Sequence, residues 1–408
     1  MKSNYSKLGE YIKEINTRNS DLSVKKLIGV SMEKTFISSV ANVVGTDMSV
    51  YKILKKGQFA CKLMSVGRDE KLPVDLYKEK EDAIVSSAYY VFETVDENIL
   101  SSEYLFMWLC RPENDRYIGY ISGGDVRGGI SWETFCETPI RMPSINKQRE
   151  IVKEYNVILN RIAYNLQLIQ KLEETTLAIY KQWFVDFEFP DVNGKPYKSN
   201  GGEMVESELG EIPKGWEVKT IDKIGKVVDS LHKTPEYSST GLPMIRVTDI
   251  SPGFLNLSKA MLVDEIVFNE FSKNHKSSKG DIIVSRVGAT FGEFSYAYTN
   301  EKFCLGQNTA VIIPKSLESS LLFTALSSPE IKEQINQKVV GSAYSTLSLK
   351  DIRNLKIILP ESKLNNTFLE VSNKFNVLFE YQGFCHQELS ALTKIKSLLL
   401  SKLATVED

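Results

Sequence analysis

The side chains that most often perform catalysis or hold metals are few in this 408-residue chain and lie far apart in the sequence. The five cysteines form no Cys-x-x-Cys pair, and their odd number does not suit a disulfide framework. The three histidines are also scattered and offer little material for a zinc site or for histidine-based catalysis. The residues concerned are Cys61, Cys110, Cys136, Cys304, Cys385, His232, His275 and His386. The sequence therefore predicts neither a metal site nor a catalytic thiol.

Two short motifs approach catalytic patterns without completing them. The stretch from Gly288 to Gly292 lacks the lysine of a phosphate-binding loop, so we interpret it as a turn between strands. The stretch from Pro190 to Lys195 begins like a nuclease core, yet Asn193 stands where the second acid is required. An Asn-Pro-Pro-Tyr tetrad, which adenine methyltransferases use, is missing. We therefore predict that the chain itself has no catalytic residues.

The overall composition is that of an ordinary globular protein. Hydrophobic residues make up 42% and charged residues 25%, and 50 basic against 52 acidic side chains give a formal net charge of −2. This balance argues against a non-specific polyanion binder, although basic residues concentrated on one face would still suit a DNA binder. The apolar runs are too short for a membrane span, and the N-terminus lacks a signal-peptide core. We predict a cytoplasmic protein without a membrane contact.

A long helical stretch must position whatever the rest of the chain presents. From Ile151 to Trp183, ten positions spaced alternately by four and three residues are mostly apolar, which predicts a helix with a coiled-coil seam. Adding 220 to each number gives a second stretch in the same register, from Val371 to Leu403. The predicted spacer seam includes Ile151, Tyr155, Ile158, Ile162, Asn165, Ile169, Leu172, Val371, Phe375, Leu378, Leu389, Leu392 and Leu399. Asn165 either fixes the helix register or points into solvent.

The segments that precede the two helices also match each other. An offset of 217 places Ile28 on Ile245, Leu105 on Leu322 and Pro143 on Pro360, while Lys56-Gly57 matches Lys279-Gly280 at 223. This length indicates a duplicated domain-plus-helix rather than a solenoid repeat. The predicted fold class is mixed α/β (α+β): two similar globular domains separated by two long antiparallel coiled-coil helices, with pseudo-two-fold symmetry. Predicted boundaries are 1–144 and 215–360 for the domains, 145–184 and 361–408 for the spacer helices, and 185–214 for a linker.

Several stretches resemble the specificity subunit of type I restriction-modification enzymes. The family's central region resembles residues 182–187 (Gln-Trp-Phe-Val-Asp-Phe), 194–197 (Gly-Lys-Pro-Tyr), 202–204 (Gly-Glu-Met) and 207–216 (Ser-Glu-Leu-Gly-Glu-Ile-Pro-Lys-Gly-Trp). Residues 279–286 with Gly288 resemble a strand of its target-recognition domain. Pro143, followed by Gln148 and Ile151, resembles the start of its spacer helix. The second start, after Pro360, departs from this pattern because the glutamine is missing.

The resemblance implies a DNA-recognition subunit that takes part in defence against foreign DNA. Each globular segment would be a target-recognition domain reading half of a split double-stranded site, and the helices would set the spacing. At about 1.5 Å per residue, helices of about 40 residues extend roughly 60 Å. Two modification subunits would supply S-adenosylmethionine chemistry, and restriction subunits would use ATP and Mg²⁺, so no cofactor is expected in this chain. The alternatives are a cryptic DNA methyltransferase or nuclease, and a non-catalytic coiled-coil scaffold.

On this interpretation, lysines and arginines would contact phosphates, and polar side chains would discriminate base edges. We favour arginines in loops or at strand ends next to glycine, because such positions suit entry into a groove. The candidate DNA-binding residues are Lys56, Arg68, Lys71 and Arg127 in the first domain, and Arg246, Thr248, Lys279, Arg286 and Tyr344 in the second.

Overall fold

The structure is a computed structural model, and it describes residues 5–39, 45–64, 66–123, 128–339, 346–361 and 366–406. The chain divides into two units. The first unit comprises residues 1–164 together with 390–408, and the second comprises residues 165–389. Each unit therefore draws on both long helices, because the division falls within them.

The first unit is built on a four-stranded antiparallel sheet whose strand order is β2-β9-β6-β7. Its strands are β1 (Tyr5–Lys7), β2 (Ile12–Ile15), β3 (Ile28–Val30), β4 (Phe36–Ser38), β5 (Lys52–Leu54), β6 (Phe59–Cys61), β7 (Val74–Leu76), β8 (Ala83–Val85), β9 (Tyr90–Thr94) and β10 (Pro139–Arg141). Its helices are α1 (Val66–Asp69), α2 (Ser102–Leu109), α3 (Pro112–Ile121), α4 (Trp132–Cys136) and the first part of α5 (Ile145–Tyr180). Short pairs β1–β10, β3–β4 and β5–β8 complete the unit.

The second unit contains a five-stranded sheet in the order β14-β21-β18-β19-β16 and a smaller sheet in the order β17-β15-β20. Its strands are β11 (Met204–Ser207), β12 (Gly210–Pro213), β13 (Trp216–Thr220), β14 (Gly225–Asp229), β15 (Leu242–Ile245), β16 (Gly253–Phe254), β17 (Met261–Val263), β18 (Ile282–Ser285), β19 (Phe294–Tyr296), β20 (Cys304–Leu305), β21 (Thr309–Pro314) and β22 (Lys356–Pro360). Its helices are α6 (Ile221–Ile224), α7 (Glu265–Phe271), α8 (Ser319–Leu326), α9 (Pro329–Val339), α10 (Leu349–Arg353) and much of α11 (Asn366–Lys402).

The two units repeat one topology, which confirms the predicted duplication and the mixed α/β fold class. The pairings β2–β9, β6–β9 and β6–β7 recur as β14–β21, β18–β21 and β18–β19. Helix α8 has the bounds of α2 shifted by 217 residues, and α10 has those of α4 shifted by the same number. The first and second copies therefore place corresponding residues at corresponding positions in their own sheets.

The turns that precede β6 and β18, the central strands of the two main sheets, have the same backbone geometry. Gly57 and Gly280 both adopt positive φ, +89° and +93°, a conformation that glycine reaches without a steric penalty. The N–H of Gly57 donates to the carbonyl of Tyr77, and the N–H of Gly280 donates to that of Ala297, each at 2.8 Å. The Lys-Gly pair is therefore a turn that the central strand needs in both units.

The long helices run antiparallel within each unit. In the first unit, Tyr155 and Leu159, near the start of α5, share a hydrophobic cluster with Leu400, near the end of α11. In the second unit, the π-helical turn that follows α5 meets the start of α11, where the rings of Phe184 and Phe368 lie 6.3 Å apart. The chain therefore leaves the first unit on α5 and returns to it on α11.

The heptad stripe coincides with the inner faces of these helices. All twenty positions in the two stripes are buried or half-buried, including the polar Asn165, Thr176 and Gln382. Asn165 is 3% exposed, and its side-chain N–H₂ has no hydrogen-bond partner among the described residues. The solvent-facing alternative for Asn165 is therefore wrong, and the buried amide has the placement expected of a register-setting residue.

Residues 185–214, expected to be a linker, pack closely in the second unit. Phe187 and Phe189 are buried, and the rings of Phe189 and Trp216 stack 4.9 Å apart. Strands β11 and β12 pair as a hairpin in the same segment. The many glycines and serines of residues 185–214 suggested a segment without packed side chains. Burial of each of the two phenylalanines nevertheless contributes roughly 1.5–3 kcal/mol. Among the helices of the described ranges, none combines the length and hydropathy required to cross a membrane.

Candidate nucleic-acid interface

Four of the candidate residues flank the central strands β6 and β18. Lys56 and Lys279 belong to the turns that precede β6 and β18, whereas Arg68 and Arg286 follow those strands. The Nζ atom of Lys279 pairs with the Glu380 carboxylate of α11 at 2.5 Å. Lys279 therefore connects its domain to the long helix, while Lys56 remains exposed at the equivalent turn.

Arg286 is held inside the second unit. Its side chain is 12% exposed, its Nη1 donates to Asp229 at 2.7 Å, and its Nε donates to the carbonyl of Leu347 at 3.0 Å. Withdrawing it to contact DNA would take a donor from the Asp229 Oδ1 and from the carbonyl of Leu347. The placement argues against direct base contact by Arg286 and favours a role in shaping the adjoining loops.

The loops beyond β14, β15 and β18 meet at one edge of the second unit. The hydroxyl of Thr290 donates to the carbonyl of Val247 at 2.7 Å, which joins the loop after β18 to the turn that carries Arg246 and Thr248. Thr248 is exposed, and about a third of the Arg246 side chain is exposed. The structure thus brings together Arg246, Thr248 and Arg286, and leaves the first two accessible.

Both accessible arginines are oriented by a neighbouring carboxylate. Arg246 makes a bidentate pair with Asp249, at 2.9 and 2.8 Å, and Arg68 makes one with Asp69, at 2.8 and 3.3 Å. Each aspartate raises the pKa of its arginine through hydrogen bonding and charge. A guanidinium fork held in this way can still offer its remaining N–H groups to a phosphate or to guanine.

In the first unit, Arg68 follows β6, just as Arg286 follows β18 in the second unit. Its side chain is 69% exposed on the short helix α1, and the N–H of the preceding Gly67 donates to the carbonyl of Gly128 at 2.6 Å. This contact brings α1 beside Gly128. Arg127 and its counterpart Tyr344 lie outside the described residues. Lys71 is directed elsewhere, since its Nζ pairs with Glu33 at 2.9 Å.

Two further features, one in each unit, were not predicted from the sequence. His232 is 56% exposed, and its Nε2 lies 2.9 Å from the Asp229 carboxylate that also holds Arg286. In the first unit, Tyr90 and Trp132 stack with ring centroids 5.4 Å apart. Because both rings are partly exposed, they offer the kind of aromatic surface on which bases stack. The pairing of Tyr90 with Trp132 joins positions 42 residues apart, so no local sequence signal announces it.

A buried glutamine fixes the first long helix to its domain. Gln148 is fully buried; its Nε2 donates to the carbonyls of Ile99 and Pro143, each at 2.9 Å, and its Oε1 accepts from the N–H of Ser101 at 3.0 Å. Gln148 therefore holds the start of α5 against the segment that precedes α2. The residue in the corresponding position of the second copy, Asn365, lies outside the described part of the chain.

Among the described residues, the cysteines and the potential metal ligands form neither a disulfide nor a metal site. Burial raises the pKa of Cys110 to about 11 and that of Cys304 to about 12, so these thiols stay protonated near neutral pH. In the same described ranges, no three His, Cys, Asp or Glu side chains converge in a way that could hold a metal ion. The exposed polar residues are suited to binding through hydrogen bonds and charge.

Comparisons with known proteins agree on one group. Residues 213–371 match the model of a family described as "Type I restriction modification DNA specificity domain". The MjaIX specificity subunit, a type I restriction enzyme subunit of Methanocaldococcus jannaschii, is 27% identical over 307 residues, covering 74% of this chain and 68% of that protein. The HindI specificity subunit of Haemophilus influenzae is 24% identical over 429 residues, covering 90% of each.

A solved structure shares the fold. The S subunit of a type I restriction-modification system from M. genitalium superposes with a TM-score of 0.57 at 14% sequence identity, and the match covers 98% of this chain and 95% of that one. At this level of identity, the likeness concerns the fold alone.

Proposed function

The chain belongs to the family of type I restriction-modification specificity subunits, and on this premise we propose that it recognises a split DNA target for a multisubunit modification and restriction complex. The observation that carries the proposal is the duplicated domain, because each copy places an accessible arginine at the edge where its central strand ends. In the first unit this arginine directly follows β6, and in the second it lies in the turn after β15, which is hydrogen-bonded to the loop after β18. Arg68 in the first unit and Arg246 in the second are the accessible members. Each unit would read one half-site.

Phosphate contacts would come from basic residues around these edges, and base discrimination from the polar residues among them. Arg68 and Arg246 are suited to guanine or phosphate because each keeps unused guanidinium N–H groups. The Tyr90–Trp132 stack and His232 extend the same two surfaces. Lys56 would contribute through charge at the opposite end of the strand, whereas Arg286 and Lys279 would act mainly through their internal ion pairs.

The partners would be two modification subunits and the restriction subunits of the complex. An exposed apolar stripe on α11 supports protein docking: Val377, Tyr381 and Phe384 are 62%, 58% and 64% exposed and are spaced by four and three residues. S-adenosylmethionine, ATP and Mg²⁺ would be bound by those partners, which would carry out adenine methylation and DNA cleavage. This chain would contribute recognition only and would act with its partners in the cytoplasm.

The proposed recognition is tested by sequencing the methylated DNA of cells that express this chain with a modification subunit. The expected result is a methylated site in two parts. Lengthening the long helices by one turn should change the spacing between the parts while their sequences stay the same. A continuous site would contradict the two-domain arrangement, and methylation by the purified chain alone would support the alternative of a cryptic enzyme.

The proposed docking stripe is tested with Phe384→Ser. This variant should lose most of its association with the modification subunit in size-exclusion chromatography, because a large apolar ring is removed from the centre of a partner contact. Ile266→Ser is the matched control, since Ile266 is 81% exposed on α7, away from the stripe. Equal association of both variants would remove the stripe from the proposed interface.

A further inference from the structure

The second unit contains a cavity of about 210 Å³ between its sheet and the long helices. Its walls include Phe254 of β16, Phe323 of α8 and Phe379 of α11. The ring of Phe379 lies 5.4 Å from that of Phe254 and 5.9 Å from that of Phe323, measured between centroids. Exposed Leu177 and Pro252 mark its opening to solvent. The cavity has room for about seven water molecules at about 30 Å³ each, and therefore for a short alkyl chain.

The hydroxyl groups that line this cavity can only accept hydrogen bonds from a ligand. Thr176, Thr324 and Ser327 each donate their hydroxyl hydrogen to the backbone carbonyl four residues earlier, at 2.7–2.9 Å. A hydroxyl has one hydrogen and two lone pairs, so what remains available is the oxygen. These three hydroxyl oxygens therefore offer acceptors to the cavity, which the amide of Gln382, with one acceptor oxygen and two N–H donors, also lines.

Two further polar groups on the cavity lack partners. Gln382 is 2% exposed and makes no hydrogen bond within the described part of the chain. The carboxylate of Glu173 lies at the opening, with its Oε1 3.7 Å from where a Cβ would stand on Gly253, and no described residue pairs with it. Burial raises the pKa of the Glu173 carboxyl. The adjacent Glu174 differs, because Lys171 and Gln170 both donate to it.

We propose that this cavity binds an alkylammonium group, with Glu173 as its counter-charge. An ammonium presents three donors and no acceptor, which matches the hydroxyl oxygens, the amide oxygen of Gln382 and the carboxylate of Glu173 on the lining. The aromatic walls attract a cation above a ring face and accommodate the alkyl chain. The carboxylate of Glu173, which has no cationic partner among the described residues, would attract an ammonium but not a neutral alcohol. This binding site is independent of the DNA-recognition surfaces.

The proposal is tested by titrating the full chain with n-butylammonium and with 1-butanol in a calorimeter. The ammonium should bind roughly tenfold more tightly or better, because a hydrogen bond to a charged group outweighs a neutral one. Glu173→Gln should abolish this preference, while the control Glu174→Gln should retain it. Gln382→Leu should weaken ammonium binding by several-fold. Thermal unfolding of the unliganded variants identifies any loss that comes from misfolding.

The assignment would be overturned by equal affinity for the ammonium and the alcohol, or by the same loss of preference in Glu173→Gln and Glu174→Gln. Failure of the ammonium to bind would overturn it as well. A second comparison identifies the source of the group. Tighter binding of 1,4-diaminobutane supports a free aliphatic amine, whereas tighter binding of a short lysine peptide supports a lysine side chain from a partner protein.

Discussion

Replacement of Gln148 by leucine offers a direct test of how the first long helix is held. Leucine has a similar size but no polar atoms, so the substitution removes three hydrogen bonds at once. The N–H of Ser101 and the carbonyls of Ile99 and Pro143 would lose the partners that now lie 2.9–3.0 Å away. The expected effect is local to the first unit, to which all four residues belong.

The magnitude follows from the cost of leaving a buried polar group without a partner, about 1–3 kcal/mol each. Water can replace the lost contact near Ile99 most easily, since that residue is 51% exposed. The better-shielded groups keep most of the penalty. We therefore expect Gln148→Leu to lower the free energy of unfolding of the first unit by about 3 kcal/mol, near the lower end of the summed range.

Hydrogen exchange is the suitable assay, because two units need not unfold as one. The amide of Ser101 should exchange much faster in Gln148→Leu, while amides of the second unit keep their protection. The matched control is Asn160→Leu, an exposed position on the same helix and in the first unit, where the expected change is within about 0.5 kcal/mol. Unchanged protection of Ser101, with a stability loss below about 1 kcal/mol, would refute the reasoning.

Two further predictions concern the candidate interface and pH. Arg68→Ala should weaken binding to the target site several-fold, since a bidentate contact contributes about 1–3 kcal/mol, while Arg149→Ala should not. Arg286→Ala should instead destabilise the second unit, because the Asp229 Oδ1 and the carbonyl of Leu347 lose the donor that Arg286 supplies. Binding titrations with parallel unfolding curves separate the two effects. Burial raises the pKa of Asp75 to about 6, so its stabilising contribution is full below the unfolded value of 3.8 and is lost as pH rises through 6. Allowing for solvent screening, that loss is about 1–2 kcal/mol. Unfolding curves at pH 4 and pH 7 should show this loss in the native chain but not in Asp75→Asn. The same change in unfolding free energy between the two pH values in both proteins would argue against it.

Local periodicity was sufficient to predict the long helices and the duplication. The four-and-three spacing from Ile151 onwards reports which face of a helix is apolar, and that face is the one the structure buries. The repeated Lys-Gly turn was equally visible, because Gly57 and Gly280 meet a requirement of the backbone at that point. Such features depend on neighbours along the chain, so the sequence alone determined them.

The candidate site was only partly predictable, because exposure and pairing depend on residues far apart in the sequence. Arg68 and Arg286 looked alike as arginines near glycine, yet one is 69% and the other 12% exposed. The partner of Arg286 lies 57 residues away, and that of Lys279 lies 101 residues away. Only the tertiary structure brought those carboxylates within ion-pair distance and thereby decided which cations remain available to a ligand.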